Sequence, residues 1–394
     1  MGWTARATLA IGFIALAGTW GCAVNKRPPT TLARITADAA PLADAYAASR
    51  DTIIERLARR AVARGDRALD ILVLSGGGQH GAYGAGFLRG WRTRADAPMP
   101  KFDIVTGVST GALQAPFAVL GTQASLDTLS ALYLRAADRI APTVDWFFWL
   151  RKTGAVVKTK RYRATLASVF DDRMAAALRS EFRGDRQFLV GTTDFDLAIG
   201  RVWDMAREMD TTTAGLSRGR EILFASTAIP GIFPPTLLDG HVHSDGGVIA
   251  NLLVPLDLAS IRGLALRLRA YGIAESVTVR VWTVVNLFTH MSPTVVNPSD
   301  RGAMSMRASL LLLAAQQQQT LEYLATLATT VERDVPGIRL EVRYTAVPDS
   351  LSTDPAASEL FDKGWMQRLE TLGYERARGA SPWDSTVSRY ARPR

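Results

Sequence analysis

The chain has 394 residues, 47% of them hydrophobic and 21% charged, enough apolar surface for a large core in one or more domains. Lysine and arginine outnumber the acids 46 to 37, a formal net charge of +9 that favours anionic partners. No zinc-finger spacing, RNP-like sequence or long basic helix directs that charge to nucleic acid, and Cys22, the single cysteine, excludes an intrachain disulfide or a cysteine metal cluster.

The first 21 residues read as an export signal: the positive MGWTAR, the apolar ATLAIGFIALAGTW, which is too short to span comfortably, and a small residue before Cys22. Gly21-Cys22 resembles the lipobox of bacterial lipoproteins, although Thr19 stands where leucine is expected. The resemblance implies a lipid anchor on Cys22. Ala23 in place of aspartate then points to the outer membrane of a bacterial cell envelope, facing the periplasm, with inner-membrane anchoring or secretion as alternatives. Residues 23–41, with Pro28, Pro29 and Pro41, read as a linker, and the segment that follows, with Ile53, Ile54, Leu57 and Val62 at helical spacing, as a helix stopping near Gly65. Residues 22–66 are therefore a linker and an N-terminal helix ahead of one domain over 67–394.

From Asp70 onward short apolar runs alternate with helical segments, the pattern of a largely parallel sheet with helices on its faces. ILVLS and FDIVTGVS are the first strands, each followed by a helix. QFLVGTTDF and AIGRVWDM are strands joined by a turn, and TLLDGHVH is a hairpin turning at Asp239-Gly240. VRVWTVVN and IRLEVRYTAV are late strands flanking a long helix whose four glutamines read as its solvated side.

Three glycines, Gly76, Gly77 and Gly78, follow the first strand, and such a turn can offer backbone N–H groups to a dinucleotide, a phosphate or a reacting oxyanion. The dinucleotide reading lacks a well-placed ribose-binding acid, and the P-loop reading lacks its G-K-[ST] ending. The oxyanion reading requires a nucleophile, and GVSTG over 107–111 supplies one: Ser109 on a strand-to-helix turn, flanked by glycines. GLSRG over 215–219 matches the same expression but follows no apolar strand, which places Ser217 in an exposed turn. A base for Ser109 could be one of the downstream histidines, His241, His243 or His290, or the carboxylate of Asp245, which leads Gly246 and Gly247 at the end of the hairpin.

SGGGQHG, GVSTG and SDGGV, in that order, together with ASTAIPGIFPP at 225–235, resemble the patatin-like phospholipase family over roughly residues 70–256. The resemblance implies a three-layer α/β/α fold and a Ser-Asp dyad, with Ser109 as nucleophile, Asp245 as its base and the backbone N–H groups of Gly76, Gly77 and Gly78 as the oxyanion hole. Two departures stand out. His80 occupies the position of the family's usual cation and is a candidate modulator, and Asn251 is followed by LLVP where Asn-x-Pro is usual. The expected activity is that of a serine acyl hydrolase, phospholipase A- or lysophospholipase-like, acting on phospholipid or another acyl ester without metal or organic cofactor. The alternatives are a small-ester esterase with a Ser-His arrangement and a catalytically silent envelope protein that binds lipid or a partner. Trp146, Phe147, Phe148 and Trp149, with six basic residues from Arg151 to Arg163, suit either contact with an anionic bilayer or an aromatic core corner beside a solvated basic turn.

Overall fold

The computed structural model describes residues 27–135, 143–144, 156–210, 212–359 and 361–385. Cys22, the export signal and the aromatic run Trp146 to Trp149 lie outside the described residues. Among those described, no helix is long and apolar enough to cross a membrane.

The N-terminal helix, α1 (Leu32–Arg64), takes in the last ten residues of the predicted linker, and Pro41 lies inside it. Thr31 caps it by accepting the Arg34 N–H at 3.2 Å, and Gly65 ends it in the left-handed region at φ 67°. Proline gives up one intrahelical bond. Ile35, upstream of Pro41, is nevertheless buried, so packing carries the helix across the break.

The chain then builds β1 (Ala68–Leu74), α2 (Gly81–Arg92), β2 (Ile104–Val108), α3 (Thr110–Leu120) and α4 (Gln123–Leu134). The short β3 (Thr143–Val144) and β4 (Val157–Lys158) pair with each other, ahead of α5 (Lys160–Val169) and α6 (Asp172–Phe182). Next come β5 (Gln187–Asp194), β6 (Ile199–Asp204), α7 (Met205–Glu208), α8 (Thr213–Ser226), β7 (Thr236–Leu238) and β8 (His241–Asp245). The remainder is α9 (Leu258–Ala270), β9 (Val277–Val285), α10 (Arg301–Asp334), β10 (Ile338–Ala346) and α11 (Lys363–Arg378).

The strand order is β10-β9-β1-β2-β5-β8-β7, with β6 also on β5. Pairing from β10 to β5 is parallel, and β6, β7 and β8 are antiparallel, so the sheet is mixed but largely parallel, as predicted. Alternate residues of β1 face two separate cores: Leu72 and Leu74 pack among α2, α3, α4 and α11, while Ile71 and Val73 pack with α1, α9 and α10. Those are the three layers.

Register places the site. One edge of β5 is filled along Leu189–Asp194 by β6, so β2 and β8 share the other. β2 stops with Val108 opposite Gly191, and β8 ends with Asp245 opposite the next residue, Thr192. The end of β2 and the end of β8 are therefore brought head to head.

Candidate active site

Ser109 sits where β2 turns into α3, at φ 53° and ψ −124°, a conformation that costs a residue with a side chain on the order of 1–3 kcal/mol. Its neighbours explain how the turn is held. A Cβ on Gly107 would lie 2.5 Å from the Gly111 carbonyl, and one on Gly111 would meet the carbonyls of Leu74 and Ser75 at the end of β1. The two glycines are thus required by close backbone packing. The Ser109 N–H donates to Ser226 Oγ at 3.0 Å, and Ser226 in turn donates to the Gly191 carbonyl at 2.7 Å. α8 therefore pins the elbow to β5.

Asp245 is buried, its Oδ1 accepts the Gly247 N–H at 2.8 Å, and its carboxyl interacts with the Ser109 side chain. Burial pushes the carboxyl up to about 6, and the Ser109 hydroxyl and the Gly247 amide oppose that shift only in part. A carboxylate of that basicity beside a hydroxyl is suited to take its proton near neutral pH.

The glycine loop lies against the same serine. The amide of Gly76 is already spent, donating to the Asn251 carbonyl at 3.2 Å, which removes it from the predicted set of three oxyanion donors. Gly77 and Gly78 have no acceptor for their N–H groups among the described residues, and Gly78 lines the cavity beside Ser109 at φ 58°. α3 adds the Thr110 N–H, an orphan of the helix N-terminus next to Ser109.

His80 braces this loop from behind. Its Nδ1 and its backbone N–H both reach the Gly77 carbonyl, at 3.0 and 3.1 Å, and its ring stands edge-on to Phe288 and Trp365. Burial brings its pKa down to about 4, so at neutral pH it is an uncharged donor and not a substitute for the family's cation.

The other histidines belong elsewhere. His241 lies between two acids, Nδ1 3.0 Å from Asp194 and Nε2 3.4 Å from Asp38, while His243 Nδ1 is 3.0 Å from Thr192 Oγ1 and burial lowers its pKa to about 4. His290 pairs with Asp349 at 3.2 Å. Among the described residues no histidine hydrogen-bonds Ser109. Asp194, Asp196 and His241 lie close enough to share a metal ion. Arg27 already occupies Asp196 at 2.7 Å, and the amides of Asp196 and Leu197 occupy Asp194 at 3.0 Å, so the chain's own donors satisfy the acids. Ser217 is exposed, as predicted, but on α8 and not in a turn.

Three braces were not visible as site residues in the sequence. Ser226 is one. Asn286 and Gln114 form a second, with Asn286 donating to Ser75 at 2.8 Å and to Gln114 at 3.0 Å, and Gln114 to Gly81 at 2.7 Å. The third is Gln317, one of the four glutamines read as solvated: it is fully buried, accepts from Asn251 at 3.0 Å and donates to the Phe288 carbonyl at 3.0 Å. Asn251 thus holds Gly76 without the usual Asn-x-Pro.

Next to Ser109 opens a cavity of about 120 Å³ walled by α3, α4, α5 and α8 and almost wholly apolar beyond its mouth. A three-layer α/β/α domain with a serine elbow facing a buried carboxylate and an apolar cavity has the architecture of a hydrolytic enzyme. Residues 72–259 match the family model described as patatin-like phospholipase, so this stretch of the chain is similar to that family. The crystal structure of VipD from Legionella pneumophila is similar at 11% identity and a TM-score of 0.32, covering 78% of this chain. The chain spans 66% of the length of that structure. No curated protein matches the sequence.

Proposed function

We propose that the protein is a serine acyl hydrolase of lipid esters working through a Ser109–Asp245 dyad. Asp245 accepts the hydroxyl proton as Ser109 Oγ bonds to the ester carbonyl carbon, and the amides of Gly77, Gly78 and Thr110 receive the oxyanion. Collapse breaks the bond to the alcohol, which leaves with the proton from Asp245 and an acyl-serine behind. Water then repeats the sequence, with Asp245 again as base, and releases the carboxylic acid. The observation that carries this reading is the buried carboxylate set against the elbow serine, while the histidines pair with other groups.

Hydrolysis of short-chain esters and of phospholipid vesicles tests it. Ser109→Ala should lose at least a thousandfold in kcat/KM, and Ser217→Ala should keep the wild-type rate. Equal loss in both variants would refute the assignment. An anchor on Cys22 and interfacial contact through Trp146 to Trp149 complete the proposal of a membrane-surface enzyme. Incorporation of a palmitate analogue that survives Cys22→Ser would disprove the anchor.

A further inference from the structure

The cavity beside Ser109 is graded from polar to apolar along each of its walls. Thr110 follows the serine directly and bonds Tyr133 of α4. Thr227 follows Ser226, which holds the Ser109 amide, and Tyr162 of α5 bonds Thr227 at 2.8 Å. Four hydroxyls therefore mark the catalytic end. Deeper along the same four helices the lining is apolar apart from Thr165 on α5: Leu129 on α4 and Leu223 just before Thr227, each about one turn in, then Phe117 on α3 and Phe170 at the end of α5. At ~1.5 Å rise per residue, Thr110 to Phe117 covers about 10 Å and Tyr162 to Phe170 about 12 Å. Both phenylalanines are buried, and each is the lining residue farthest along its helix from the catalytic end.

We propose that this cavity is an acyl-chain gauge, with Phe117 and Phe170 as its floor, selecting medium-chain acyl groups of hexanoyl to octanoyl length over long ones. The inference rests on Ser109 as the nucleophile. A carbonyl held at the elbow leaves the chain about 10 Å of depth. The volume, about 120 Å³, is slightly below the ~150 Å³ of an apolar cavity that accepts benzene, which gives room for roughly six carbons. A longer chain must either displace the floor or pull its carbonyl away from the oxyanion donors, and either loses rate. Shortening the floor side chains should let the chain run deeper. Bulk added at Leu129, nearer the mouth, should shorten the gauge.

The test is kcat/KM on p-nitrophenyl butyrate, octanoate and palmitate. Wild type should favour octanoate over palmitate at least tenfold. Phe117→Ala and Phe170→Ala, or the milder Phe117→Val if alanine does not fold, should narrow that ratio at least threefold. Leu129→Trp should shift the preference to butyrate. Palmitate cleaved as well as octanoate by wild type, or a ratio unmoved in the folded floor variants, overturns the gauge while leaving Ser109 in place. If no ester is cleaved and Ser109 takes no fluorophosphonate, the nucleophile assignment fails instead. The gauge is then judged by thermal stability: octanoate should raise the melting temperature of wild type but not of Leu129→Trp, and the absence of that rise overturns it.

Discussion

Asp245 is held in a state that burial opposes and the proposed catalysis needs. Its folded pKa of about 6 lies above the ordinary carboxylate value of 3.8, so ionising it costs the folded protein free energy that the unfolded chain does not spend. The folded state binds the extra proton between those values, so this group's contribution to stability falls as pH rises from about 4 through 6 and stays lost above. At about 1.36 kcal/mol per pKa unit the penalty is on the order of 3 kcal/mol at neutral pH. Asp245→Asn should therefore melt higher than wild type at pH 8 and show no such gain near pH 4 in paired thermal scans, while losing activity. The base must be ionised to act, so kcat/KM should fall tenfold per unit below about pH 6 and be flat above. His80 sets no limb at higher pH: with a folded pKa near 4 it is already neutral there. His80→Asn should keep the wild-type pH profile above pH 5, even where the weakened brace on Gly77 lowers the rate. An alkaline decline abolished by that substitution would show a charged His80 at work.

At the scale of elements, what could be read in the sequence was whatever is encoded locally. The Asp-Gly turn of the β7–β8 hairpin has Asp239 at φ 53° and Gly240 at φ 84°, backbone angles that the residue types announce. The glycines around Ser109 do the same for the elbow. What stayed hidden depends on partners far along the chain. Ser226 holds an amide 117 positions away, and Asn251 and Gln317 meet across 66 positions. Three of the four glutamines on α10 are at least partly exposed, so nothing in the run itself singles out the buried Gln317. Pro41 misled for the converse reason, since a local breaker was outweighed by packing around Ile35. Ser226→Ala tests the long-range brace: it strips the Ser109 amide of its acceptor and the Gly191 carbonyl of its donor. Unsatisfied groups of that kind cost about 1–3 kcal/mol, and kcat/KM should drop tenfold or more with the serine still present. A variant with wild-type rate and stability would show that the elbow stands without α8.

The molecule as a whole separates the candidate site from the ion network that ties α1 to the sheet. At the opposite end of the strands from the site, Asp70 and Asp103 are fully buried and Arg64 of α1 reaches both, at 3.0 and 2.7 Å. Arg60 adds a contact to Asp103 at 2.9 Å, and Arg280 and Trp282 of β9 bond Asp70 at 2.8 and 2.9 Å. Removing one member leaves buried charge uncompensated, which costs roughly 3–5 kcal/mol. Arg64→Ala should lower the denaturation midpoint by that order while leaving the pH dependence of hydrolysis unchanged. A changed pH profile in the folded variant would reveal coupling along β1 and β2 to the elbow. The central claim concerns the pairing of Ser109 with Asp245, and covalent labelling reads it without a substrate. A fluorophosphonate should modify wild type at Ser109 with a rate that rises through about pH 6, and the rate should collapse in Asp245→Asn while persisting in His241→Ala, His243→Ala and His290→Ala. Rapid labelling of Asp245→Asn, or a folded histidine variant as inert as Ser109→Ala, would contradict it.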